Sequence, residues 1–181
     1  MESFNDHILS ILIFFPIFLA LGLLTFDEED SRDVWGFALI GSAIQFLISL
    51  HLVFHYIESP AMQFVETVPW IPRWGITYLI GADGFSIPLI ILATLLTPIV
   101  FAASVSSITK FVRLYAIAFL VLESAMIGSM VALDLFLFYV FWELMLIPMF
   151  MIIGIWGGKR RIYATVKFVL YTILEIGRAH V

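Results

Sequence analysis

Leu135-Phe-Leu-Phe-Tyr-Val-Phe-Trp-Glu-Leu-Met-Leu-Ile-Pro-Met-Phe-Met-Ile-Ile-Gly-Ile-Trp156 is apolar from end to end except for one carboxylate, Glu143. A run of about 20 such residues is the length that crosses a hydrocarbon core as a helix. An acidic residue at the centre of such a helix costs roughly 2.5–3.5 kcal/mol on insertion scales, so it is expected to face a protein interior or a wet cavity and to serve ion or proton movement. The stretch therefore sets both the fold class and the first functional candidate.

Similar runs lie on either side. Working outward, five full spans are expected at about 6–26, 34–57, 84–105, 111–132 and 135–156, with a sixth beginning near Tyr163 and stopping at about 174. The expected fold is all-α: a polytopic transmembrane helix bundle. The composition agrees, with 62% hydrophobic and only 13% charged residues against roughly 25% charged in an ordinary soluble domain. No water-soluble catalytic module and no nucleic-acid signature is visible. The absence of cysteine removes disulfides, thiolate metal sites and cysteine-held iron–sulfur clusters. The net charge of −5 owes much to Asp27, Glu28, Glu29, Asp30 and Asp33, a solvated loop.

The amino terminus carries acids where a signal peptide would carry a positive region, so the first apolar run is expected to be retained as a span. If the spans alternate, Arg32, Lys110, Lys159, Arg160 and Arg161 share one side, and Arg73 is alone on the other. The positive-inside rule then puts the basic loops in the cytoplasm and the amino terminus outside. Residues 58–83, with Pro60, Pro69, Pro72, Trp70 and Trp74, are expected to form an external loop lying on the helix ends. Asp83 and Asp134 are the expected caps of the spans that follow them.

Three more polar groups lie in or near spans. Glu123 sits among Ser124, Ala125, Gly128 and Ser129, small residues that let helices approach closely. It is either a functional carboxylate or a hydrogen-bonded packing residue. Lys167 either snorkels to the surface or faces inward to pair with an acid. In low dielectric a carboxyl favours its neutral form, and a lysine beside it favours the ionised one, so such pairs can pass protons. Pro148 removes an amide donor near Glu143, which makes either a hydrated kink or a purely structural one. His51 and His55 have the i, i+4 spacing of a metal pair but no further ligand nearby, and His55 falls near the membrane edge, which favours an interfacial or packed role.

Asp134-Leu-Phe-Leu-Phe-Tyr-Val-Phe-Trp-Glu-Leu-Met-Leu-Ile-Pro-Met149, Ile153-Gly-Ile-Trp-Gly-Gly158 and Tyr163-Ala-Thr-Val-Lys-Phe-Val-Leu-Tyr-Thr172 resemble the subunit M family of bacterial respiratory complex I, the NADH:quinone oxidoreductase. Gly81-Ala-Asp-Gly-Phe-Ser-Ile-Pro-Leu89 and Leu122-Glu-Ser-Ala-Met-Ile-Gly128 also look like that family's segments. The resemblance implies an antiporter-like membrane subunit with inverted helical repeats, of which residues 1–174 would be the amino-terminal fragment. It implies that Glu143 couples quinone reduction elsewhere in the complex to proton translocation, with Glu123 and Lys167 as candidate partners. It also implies that this chain holds no cofactor: NADH, flavin, iron–sulfur clusters and quinone belong to other subunits. The expected partners are membrane lipid and other complex I membrane subunits, and the expected location is the bacterial inner membrane. An Mrp-type cation/proton antiporter subunit, the membrane arm of a hydrogenase, and a purely structural membrane anchor remain alternatives.

The end departs from the family's pattern. Glu175-Ile-Gly-Arg-Ala-His-Val181 is what a common sequencing adapter encodes when read in this frame, and the next adapter codon is a stop. Residues 175–181 are therefore expected to be a non-native tail.

Overall fold

The computed structural model describes residues 7–27, 30–59 and 61–178, with side chains through Thr172. It is mostly helical. The helices are α1 (Ile8–Leu23), α2 (Ser31–His55), α3 (Ser86–Ser104), α4 (Val112–Val131), α5 (Leu135–Trp156) and α6 (Arg161–Arg178). Each starts and stops within a few residues of an apolar run, because the chain changes there to Asp, Gly, Ser or basic residues that favour caps and turns. Four of them, α2 to α5, are long and apolar enough to cross a membrane, whereas α1 is apolar but only 16 residues long. At 1.5 Å per residue α1 reaches about 24 Å, short of a hydrocarbon core of roughly 30 Å. α6 runs to Arg178, past the helix end expected at 174, and residues 179–181 of the expected tail lie outside the described residues.

The segment expected as an external loop holds an antiparallel β-hairpin, β1 (Gln63–Ile71) and β2 (Ile76–Ala82), joined by a 3-10 turn at Pro72–Trp74. Gly75 closes the turn at φ 69°, a left-handed conformation that costs glycine little. Pro69 fits within β1 because a two-stranded sheet has only edges, and an edge tolerates a residue without an amide proton. The otherwise all-α expectation is corrected here by this one element.

The hairpin lies across helix ends. Leu133 N donates to Leu79 O at 2.9 Å, and Ile80 pairs with Ala132 at the α4–α5 turn. Asp83 Oδ1 accepts from Ser86 N and Ser86 Oγ, both at 2.7 Å, and Asp134 Oδ1 accepts from Leu137 N at 3.0 Å. Both acids thus cap the following helices, as expected. At the other end, Arg113 Nη1 donates to Phe26 O at 2.7 Å and Trp156 Nε1 to Lys110 O at 2.8 Å, so the chain after α1, the loop before α4 and the end of α5 are tied together on one side of the bundle.

α4 is the central helix. It packs on α1, α2, α3 and α5, and 56% of its apolar window is buried, against 17% for α5 at the edge. Gly128 allows the α4–α5 approach, because a Cβ there would collide with the Phe141 ring. One apolar cluster, including Ile8, Leu12, Leu52, Ile80, Ile127 and Phe141, sits under the hairpin. A second, with Leu23, Trp35, Phe101, Tyr115 and Leu120, fills the opposite half.

Candidate functional site

The central position of α4 and the edge position of α5 decide where the two intramembrane acids go. Glu123 lies midway along α4 and is 2% exposed. Neither carboxyl oxygen makes a hydrogen bond of good geometry among the described residues, although the Thr97 side chain interacts with the carboxyl. It opens into a cleft of about 100 Å³ between α3 and α4, lined also by Leu96, Thr97, Phe119, Leu122 and Met126.

Glu143 is exposed on this chain. Its neighbours at helical spacing, Phe136, Val140, Ile147 and Phe150, are exposed too, so the carboxylate interrupts an outward apolar stripe of α5. Pro148 is buried on another face. Lys167 is exposed on α6, its Nζ 5.3 Å from the Tyr163 ring centre and 5.9 Å from that of Tyr171. Those distances suit cation–π attraction. No hydrogen bond or ion pair among the described residues joins Glu123, Glu143 and Lys167. The fold separates the three candidates: one is inside the bundle and two are on its surface.

His51 and His55 stack with ring centres 3.8 Å apart, and the His55 ring contacts His51 O at 3.1 Å. The two rings lie against each other at the end of α2, His51 half-buried and His55 exposed.

A fourth polar group escaped sequence reasoning. Glu66 on β1 is 7% exposed and accepts from Ser10 N at 3.0 Å and Ser10 Oγ at 2.7 Å, with His7 Nδ1 at 3.1 Å. Ser10 Oγ also meets Tyr78 Oη at 2.9 Å. Burial pushes the Tyr78 phenol up to about 12; the Ser10 hydrogen bond opposes this and the Glu66 charge adds to it. No alternation announces it: Phe64, Glu66 and Val68 share a face by spacing, yet Glu66 is the one buried residue of β1 and Val68 is exposed.

Fold and site together define a multi-pass helical membrane protein with carboxylates within its spans. The family described as NADH:quinone oxidoreductase/Mrp antiporter, TM, matches residues 132–176, which include α5 and Glu143. Over nearly its whole length the chain is similar to NADH-quinone oxidoreductase subunit M: 47% identical over 174 residues to that of Rhodobacter capsulatus, covering 93% of this chain and 33% of the relative. The Rickettsia conorii subunit M is 38% identical over 171 residues, covering 91% and 35%. NADH-ubiquinone oxidoreductase chain 4 of Marchantia polymorpha is 41% identical over 168 residues, covering 92% and 34%. Among solved structures, a chain of respiratory complex I from Thermus thermophilus with bound NADH superposes with a TM-score of 0.75 at 25% identity, covering 92% of this chain and 33% of that one. The chain spans about a third of the length of the curated relatives it matches.

Proposed function

We propose that this chain forms part of the membrane arm of a proton-translocating NADH:quinone oxidoreductase, and that Glu143 is its proton-coupling carboxylate. The observation that carries the proposal is the similarity to subunit M across some nine-tenths of the chain, joined to a carboxylate midway along an otherwise apolar helix. A charged group on a lipid-facing stripe is costly. The outward stripe of α5 is therefore a face for further helices, which would enclose Glu143 and give it a wet, low-dielectric setting. There a neighbour's charge switches the carboxyl between its neutral and ionised forms, and the proton is taken up on one side and released on the other.

In this reading Glu123 and Lys167 are partners of the path, α1 counts as a fifth and short span, and α6 opens a sixth. The basic ends of the helices lie in the cytoplasm, and the amino terminus lies outside the bacterial plasma membrane. NADH oxidation, electron transfer and quinone reduction take place on other subunits of the complex, and other membrane subunits and lipid surround this one.

The matching family description names Mrp antiporters as well, which favours a cation/proton antiporter subunit as the second reading. Vesicles distinguish the two. Proton uptake driven by NADH and lowered severalfold by Glu143→Gln supports the first, whereas a sodium-driven pH change that needs no NADH supports the second.

A further inference from the structure

We propose that the cleft between α3 and α4 holds water, and that this water completes the hydrogen bonding of Glu123, making it a proton-holding site separate from Glu143. Its use in proton transfer rests on the function proposed above; its hydration does not. Glu123 is 2% exposed, and neither of its carboxyl oxygens has a well-formed hydrogen bond among the described residues. Buried polar groups in folded proteins are almost always paired, by protein or by ordered water. The backbone amides around Glu123 are those of a helix interior, already committed to helical bonds. Thr97, the other polar side chain on the cleft, sends its hydroxyl proton to Ala93 O at 3.2 Å. The Thr97 side chain also interacts with the Glu123 carboxyl, but one hydroxyl proton cannot serve Ala93 O and both carboxyl oxygens, so at least one Glu123 oxygen still needs a donor. Hydrocarbon supplies none.

Water supplies two per molecule. The cleft measures about 100 Å³, room for roughly three molecules at their liquid volume of about 30 Å³. One water donating to a Glu123 oxygen and to Thr97 Oγ, with a second donating to the other carboxyl oxygen, satisfies both groups, and a third carries the proton onward. The cleft is lined by α3 and α4 alone. Glu143, on the outer stripe of α5, has no part in it.

The test is water-edited solid-state NMR on the full chain in lipid bilayers with isotope-labelled glutamate, leucine and isoleucine. The Glu123 carboxyl signal is assigned by sequential correlation to Ser124 and by its loss in Glu123→Gln. The expected result is magnetisation transfer from water to this carboxyl severalfold faster than to the methyls of Leu120 and Ile127, both fully buried. Thr97→Val is expected to slow it, and Glu143→Gln to leave it unchanged. Transfer as slow as that to Leu120 and Ile127 overturns the proposal, as does insensitivity to Thr97→Val. Proton pumping is not part of the readout, so failure here and failure of the coupling role of Glu143 are separate results.

Discussion

Ser10 holds both oxygens of the Glu66 carboxylate, its amide donating to Oε1 at 3.0 Å and its hydroxyl to Oε2 at 2.7 Å, across 56 residues of sequence. This clamp fastens the hairpin to the start of α1. Hydrogen bonds to charged groups contribute about 1.5–3 kcal/mol, and stranding a buried acceptor costs about 1–3 kcal/mol. Ser10→Ala is expected to destabilise the chain by about 1–3 kcal/mol, and Glu66→Ala by more, because it strands the Ser10 amide and removes the partner of both the Ser10 hydroxyl and His7. Denaturant unfolding in detergent measures the loss, and faster amide exchange over β1 and β2 locates it. Unchanged exchange in Ser10→Ala would show that the clamp does not hold the hairpin.

Stability is expected to fall at both pH extremes. The Leu137 amide holds the Asp134 carboxyl below its ordinary value of 3.8, and the Ser86 hydroxyl and amide do the same for Asp83. Depressed folded-state values mean that the capping contribution is fully present above pH 3.8 and is lost as the pH falls through the depressed values. Tyr78 is the opposite case. Its contribution is present below its ordinary value of 10.0 and is lost as the pH rises through about 12. Asp134→Asn keeps an acceptor and should remove the acid dependence from the start of α5 without fraying it, as read by amide exchange at Leu137.

The caps were legible in the sequence because capping is local: Asp83 reaches the Ser86 amide and Asp134 the Leu137 amide, each three residues on, whereas the contact of Asp134 with Thr77 on β2, 57 residues away, was not. The helices were legible because their apolar runs match a membrane's thickness. The hairpin was not, since Pro69, Pro72 and Trp70 signal an interrupted helix without saying what replaces it. Glu66 was missed for a related reason, as its burial depends on a serine in another helix. Glu123 and Glu143 look alike in sequence, each an acid in an apolar run. Their different burial follows from α4 being central and α5 peripheral, a tertiary property that neither run encodes by itself.

Close approach of α4 and α5 depends on Gly128. A side chain there meets the Phe141 ring, and overpacking a filled interface costs about 1–3 kcal/mol. Gly128→Ala is expected to destabilise the chain by that amount, and Phe141→Leu to recover part of it in the double variant, giving a coupling energy of about 0.5 kcal/mol or more. Additive effects in the unfolding cycle would mean that the two residues do not share this contact.

The chain has no cysteine, so single-cysteine variants report orientation without background. Thr67→Cys on the hairpin is expected to react with a membrane-impermeant maleimide in intact spheroplasts. Ser107→Cys, in the loop after α3, should react only once the membrane is opened. Labelling in the reverse order would invert the proposed topology.

The most direct measurement is proton pumping by an assembled complex in which the full-length subunit carries Glu143→Gln. The proposed function predicts that the complex assembles in normal amount while NADH-driven proton uptake into inverted vesicles falls severalfold. Pumping at the unmodified level in a fully assembled complex would contradict it.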